Sequence, residues 1–236
     1  MTVPSLADRL NAALPQTPCT RCGYTDCRAY AQAMAAGEVD INRCPPGGAE
    51  GIRRLAQISG RPARPLDPAR GTEGPRLLAV IDEAWCIVCT LCIKACPVDC
   101  IIGASKTMHT VIDPLCTGCE LCIPVCPVDC ISLVPVTGAR TGWQAWSAPQ
   151  ADEARARYAF RTIRIERDLR ENDERLAAKA QAKLADLAAH SQFTDADTLA
   201  AKRAVIEAAL QRAAGRAAAA AASSPATTPT PADDET

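Results

Sequence analysis

The chain has 236 residues and a formal net charge of -1; 48% of it is hydrophobic but only 3% aromatic, and it carries 14 cysteines. Because alanine and cysteine inflate that hydrophobic fraction, the ordinary core is thin, which favours small modules built around inorganic centres over a large sheet or barrel. Few aromatics argue against a nucleic-acid binder, and no long uncharged apolar segment of membrane-spanning kind occurs.

At the N-terminus, MTVPSLADRLNAALP places Asp8, Arg9 and prolines where a signal peptide needs an unbroken apolar stretch. A secreted disulfide framework is therefore set aside in favour of thiols kept reduced in the cytosol. Leu6, Leu10, Ala13 and Leu14 fall at helical spacing, predicting a short amphipathic helix within 4–14. Cys19, Cys22, Cys27 and Cys44 follow with Cys-x2-Cys-x4-Cys-x16-Cys spacing, compatible with an iron-sulfur cluster or with a four-cysteine zinc site. Between the last two, RAYAQAMAAGE reads as a helix stopped by Gly37, which would return Cys44 to the other three. A second helix over 49–58 carries Ile52, Leu55, Ala56 and Ile58 on its apolar side, and the proline- and glycine-rich stretch GRPARPLDPARGTEGPR over 60–76 reads as a linker.

The segment 77–136 contains an internal duplication at an offset of 30 residues, with 11 of 16 positions identical between 86–101 and 116–131. Each copy is a Cys-x2-Cys-x2-Cys-x3-Cys-Pro run, the pattern of bacterial two-cluster ferredoxins, in which the fourth cysteine ligates the other cluster. The expected ligand sets are thus Cys86, Cys89, Cys92 and Cys126 for one 4Fe-4S cluster, and Cys116, Cys119, Cys122 and Cys96 for its neighbour. A Val-Ile-Asp precedes each run, at 80–82 and 111–113, and an apolar segment follows it, predicting paired short strands around each cluster loop. Structural zinc uses cysteine pairs around one ion and does not need three thiolates at two-residue gaps followed by Cys-Pro. Gly118 should ease the second loop, whereas the first has Ile87 and Val88 and the second carries Glu120, so the two clusters should differ in potential.

Cys100 and Cys130 occupy equivalent repeat positions and read as small buried residues behind each cluster rather than as ligands. Asp99 and Asp129 should cap local turns, Trp85 should shield one cluster from water, and His109 and His190, which have no partner pattern, should lie at the surface. From 152 to 189 the chain turns charged and helical, with a narrow stripe of Ile165, Leu169, Leu176, Leu184 and Leu187 and helix-favouring pairs Glu166 with Arg170 and Glu171 with Arg175. A solvated extension is the plain reading, a docking helix the sharper one. A further helix is expected over 195–216, then a low-complexity tail. Motifs for radical S-adenosylmethionine chemistry, nucleotide binding or hydrolytic metals are lacking, so an electron carrier with no substrate-transforming site of its own is expected.

Taken with the two Cys-Pro runs and the proline-rich linker, CTRCGYTDCRAYAQAMAAGEVDINRCPPGG resembles the B component of the Rnf/Rsx electron-transport complexes over about residues 5–136. The resemblance implies a third 4Fe-4S cluster on Cys19, Cys22, Cys27 and Cys44. It also implies redox protein partners, Rnf/Rsx-type membrane proteins or soluble oxidoreductases, and a cytoplasmic place, peripheral on the inner membrane. In that family a membrane helix precedes the first cysteine set, whereas the residues before Cys19 here are not such a span. The expected architecture is α+β: a helical 4Fe-4S domain (1–60), a linker (61–76), a two-cluster ferredoxin-like domain (77–136), a charged helical extension (152–216) and a disordered tail (217–236). A free soluble ferredoxin is the alternative function; a structural or nucleic-acid-associated iron-sulfur protein is a weaker one.

Overall fold

The computed structural model describes residues 3–223. The chain forms two compact units, 1–162 and 163–236. The first is α+β and contains every cysteine.

The N-terminal helices are short and end where the sequence supplies stops. Helix α1 (Leu6–Ala12) opens on a capping box in which Ser5 and Asp8 satisfy each other's backbone N–H groups. Helix α2 (Cys27–Ala36) is capped by the Asp26 carboxylate and closed by Gly37 in the left-handed region. Helix α3 (Gly48–Ser59) ends at Gly60 in the same way. Leu10, Leu14, Tyr30, Met34, Ile52 and Leu55 are fully buried between them, so three amphipathic faces make one small core.

The predicted strands form two antiparallel pairs. Strands β1 (Leu77–Ile81), β2 (Ile101–Ala104), β3 (Thr107–Val111) and β4 (Ile131–Pro135) pair as β1 with β4 and β2 with β3, around a single turn of helix, α4 (Leu91–Ala95). Because β1 precedes the first cysteine run and β4 follows the second, their register, Leu77 opposite Pro135 through Ile81 opposite Ile131, closes the duplicated module end to end.

Residues 60–76, expected as a linker, are instead a strap laid over the helical module. Arg61 donates to the carbonyl oxygens of Val39 and Met34, Asn42 donates to that of Pro65, and Pro68–Arg70 forms a 3-10 turn. The Glu73 carboxylate accepts from the Ala49 N–H and the Thr141 hydroxyl at 2.8 and 2.7 Å. It thereby ties α3 to the segment after β4. There, α5 (Gly142–Ala145) carries Trp143, whose ring lies under the Arg54 guanidinium of α3, and is followed by Trp146.

Helix α6 (Ala148–Ala185) crosses the boundary of the two units. Within the first, it is no solvated extension: Ala151 and Ala154 are buried, Arg157 donates to the carbonyl oxygens of Val98 and Asp99, and the Tyr158 hydroxyl donates to Asp26. One helical face thus holds both cysteine-bearing modules. In the second unit, Leu169 and Leu176 of the expected stripe stay exposed, Arg167 pairs with Asp168 and Glu171, and Arg175 donates to Asn172. Helix α7 (Ala196–Ser223) runs past residue 217, where the tail was expected to begin; the rest of that tail, 224–236, lies outside the described residues.

Candidate iron-sulfur centres

All fourteen cysteines are free thiols, and twelve of them converge in fours around three small cavities. Cys19, Cys22, Cys27 and Cys44 line the first, with Leu14 and Tyr30. Cys27 reaches it from the first turn of α2, and Cys44 from the loop that follows the Gly37 reversal. Tyr30 fixes that loop: its hydroxyl donates to the Asp40 carbonyl at 2.9 Å and accepts from the Arg43 N–H at 3.0 Å. Burial pushes the Cys27 and Cys44 thiols well above their ordinary range, so these buried sulfurs give up protons only to a compensating positive centre.

Cys86, Cys89, Cys92 and Cys126 line the second cavity together with Cys130, and Cys96, Cys116, Cys119 and Cys122 line the third together with Cys100. Each run therefore contributes three thiols to one cavity and sends its fourth to the other. The short helix α4 and the turn before Pro97 aim Cys96 away from its own run. Within the loops, Val88 and Gly118, equivalent in the repeat, both take positive φ, 52° and 67°. At Gly118 a Cβ would lie 2.6 Å from the Leu77 carbonyl oxygen, so the second loop hugs β1 as only glycine allows.

The donors facing these sulfurs suit thiolates. Backbone N–H groups reach Cys116 from Ala79 and Gly118, Cys119 from Leu121, and Cys126 from Val128 and Cys130. Cys100 and Cys130 are buried as expected, and each bridges two ligand candidates of one cavity: Cys100 lies 3.4 Å from Cys96 and also meets Cys116, while Cys130 lies 3.5 Å from Cys126 and also meets Cys86. Hydrogen bonding from the Cys100 thiol, aided by nearby backbone N–H groups, draws Cys96 and Cys116 down to about 6 and holds Cys100 itself protonated. A ring of thiolates under convergent N–H and S–H donors, enclosing a void, fits a polynuclear cluster with bridging sulfides. Among the described residues, no three His, Cys, Asp or Glu are grouped to hold a single metal ion.

Two expectations fail. Trp85 is 70% exposed, because the Asp82–Trp85 turn directs it outward, so it does not shield the cavity beside it. His109 is 1% exposed and lines the Cys86 cavity rather than the surface. Sequence reading also passes over the contacts between modules. Arg21, between Cys19 and Cys22, pairs with Glu120, between Cys119 and Cys122, and the Trp146 indole N–H donates to the Pro15 carbonyl at 2.8 Å. These place the N-terminal cavity next to the Cys116 cavity. Asp99 and Asp129, expected at turns, both sit at positive φ, and Asp99 pairs with Arg161 of α6.

Comparison with known proteins finds iron-sulfur families over both cysteine regions. The 4Fe-4S dicluster domain family matches residues 79–133, and the family described as a putative Fe-S cluster matches 14–46. Proteins named as the B component of the ion-translocating oxidoreductase complex are similar over most of their length. That of Azoarcus sp. (strain BH72) is 57% identical over 151 residues, 64% of this chain and 82% of the relative. That of Thiobacillus denitrificans is 58% identical over 144 residues, 61% and 76% respectively, and that of Alkalilimnicola ehrlichii 55% over 156, 65% and 83%. No solved structure matches. Among the described residues no helix is long and apolar enough to cross a membrane. With this identity over most of the relatives' length, a 4Fe-4S dicluster domain over 79–133 and a putative Fe-S cluster segment over 14–46, the chain belongs to the Rnf/Rsx B-component family of electron-transfer proteins.

Proposed function

We propose that the chain carries three 4Fe-4S clusters and relays electrons along them as the peripheral B component of an ion-translocating oxidoreductase complex. Cys19, Cys22, Cys27 and Cys44 hold the first, Cys116, Cys119, Cys122 and Cys96 the second, and Cys86, Cys89, Cys92 and Cys126 the third. The observation that carries this reading is the exchange of fourth cysteines between the two runs, which gives each cavity four thiols from the runs, with Cys130 or Cys100 beside them. When bound, each cluster supplies a one-electron carrier. The residues of the chain do the rest. Arg21 with Glu120, and Trp146 with Pro15, hold the N-terminal cavity against the Cys116 cavity, so the relay runs from the N-terminal cluster through the Cys116 cluster to the Cys86 cluster, or the reverse. Buried Leu78, Val98, Ile101 and Ile131 keep water from the sulfurs of the second and third. The partners are redox proteins of the complex, and they supply its attachment to the membrane.

Anaerobic purification of Cys96→Ala and Cys126→Ala, with iron analysis and electron paramagnetic resonance (EPR) of the reduced proteins, tests the assignment. Cys96→Ala should damage the cluster of Cys116, Cys119 and Cys122, and Cys126→Ala that of Cys86, Cys89 and Cys92. Loss of the cluster in the mutated run itself would overturn the exchange. Recovery of the tagged protein with integral-membrane redox proteins tests its place in the complex; recovery alone, or with a soluble oxidoreductase, would assign it instead as a free ferredoxin.

A further inference from the structure

His109 lies on β3, where the ladder with β2 slips. Ile102 faces Thr110 and Ala104 faces Thr107, so Met108 and His109 together oppose Gly103 alone. The irregularity turns the imidazole inward, and Gly103, at φ +142°, leaves room for it: a Cβ there would lie 2.7 Å from the ring's Cδ2 and from the Met108 carbonyl oxygen. Nδ1 comes within 3.5 Å of the Cys92 sulfur and 3.7 Å of the Cys86 sulfur. Nε2 is buried with no partner.

That geometry selects a tautomer. A proton on Nε2 would leave a buried donor unmet and point the Nδ1 lone pair at two thiolate sulfurs. A proton on Nδ1 lets the ring donate to those sulfurs and leaves only an unpaired acceptor at Nε2. The repeat also provides a comparison within the molecule. At the offset of 30 residues, the counterpart of His109 is Ala79, which lines the other cavity. One ligand set faces an imidazole N–H, and its twin faces a methyl group.

We infer that His109 donates from Nδ1 to the Cys86 and Cys92 thiolates and thereby raises the potential of the cluster they hold, setting it apart from its pseudo-symmetric neighbour. This rests on the ligand assignment proposed above. A donor to ligand sulfur withdraws electron density and favours the more negative, reduced state, a lever that ligand identity alone does not provide.

The test is EPR of the reduced holo-protein grown with 15N-histidine. The chain has two histidines, so His190→Gln leaves His109 as the sole labelled ring. A 15N coupling on the cluster held by Cys86, Cys89, Cys92 and Cys126 is expected in this protein and should vanish in His109→Leu. Potentiometric titration of His109→Leu should shift that cluster alone to lower potential, and His109→Asn, which keeps an N–H donor, should recover part of the shift. Absence of the coupling, or an equal shift of both ferredoxin-type clusters, would overturn the role; the coupling needs no core variant that fails to fold. Cys126→Ala identifies which signal belongs to the Cys86 set. If it leaves that signal intact, the ligand assignment has failed; if it removes the signal while histidine gives no coupling, only the role of His109 has.

Discussion

Gly118→Ala probes how closely the second cluster loop is bound to its strand. Gly118 sits at φ +67°, and a Cβ there would lie 2.6 Å from the oxygen and 3.2 Å from the nitrogen of Leu77. Neither atom can yield by rotating a side chain. Leu77 begins β1 opposite Pro135, and adjacent Arg76 is held by Thr137, the Val136 N–H and the Cys116 carbonyl. Left-handed backbone costs a non-glycine residue about 1–2 kcal/mol, and forcing a methyl into a closed contact about 1–3 kcal/mol more. Stiffening the unfolded chain returns only about 0.4–1 kcal/mol. A net loss of about 1–5 kcal/mol follows from these terms. Because a cluster protein does not unfold as a simple two-state system, the assay is the rate at which visible cluster absorbance is lost in guanidinium under anaerobic conditions, with EPR to show which cluster goes first. The cluster of Cys116, Cys119 and Cys122 should be lost first. Val88→Ala, at the repeat-equivalent position where a side chain is already accommodated, is the control and should hold its cluster. If Gly118→Ala lost its clusters no faster than the unaltered protein, the close approach to Leu77 would not be what confines this loop.

Two further variants separate docking from tuning. Trp146→Phe keeps most of the buried ring but strands the Pro15 carbonyl, at a cost of about 1–3 kcal/mol; hydrogen exchange should quicken at the contact between the modules while iron content is unchanged, and unaltered exchange would remove Trp146 as the fastening. Cys100→Ala removes the S–H donor shared by Cys96 and Cys116. Those thiols, drawn down to about 6 in the folded chain from an ordinary value of 9.0, are thiolates above about pH 6 and lose that stabilisation as pH falls through it. Without the donor they titrate higher, so cluster reconstitution measured against pH should need a more alkaline medium, although iron is retained once loaded. An unchanged pH profile would show that backbone N–H groups alone depress them.

What the sequence made legible was the part governed by short-range chemistry. Four-cysteine spacing, a 30-residue duplication, and Gly37 as a helix stop are signals carried by the order of the chain itself, readable without knowing which distant segments touch. The strap over 60–76 was not legible. Proline and glycine exclude regular structure without saying whether a segment hangs free or lies against a surface, and the contacts that decide it, Glu73 to Ala49 and to Thr141, span 24 and 68 residues. The same holds for Arg21 with Glu120 and for Tyr158 with Asp26, whose charges and hydroxyl read as ordinary surface groups.

His109 is the instructive failure, because a signal for it did exist. On a short strand the side chains alternate, and His109 shares parity with partly buried Val111, with Thr110 exposed between them. A polar residue at an inward position beside a cysteine run requires a partner, and here the sulfurs of Cys86 and Cys92 supply it. Histidine as a metal ligand follows spacing rules, whereas histidine as a donor to ligands follows none, so the sequence marks the first role and not the second. Trp85 errs in the opposite direction for the same reason: proximity in sequence to Cys86 does not say which side of a turn a ring takes. On the ligand assignment proposed above, the residues that hold the clusters are written in the spacing of the cysteines, whereas His109, proposed to set one cluster apart from the other, is placed by strand parity and by the irregularity opposite Gly103. Electron carriers with nearly identical ligand motifs can therefore differ in potential through changes at positions that no cysteine pattern marks.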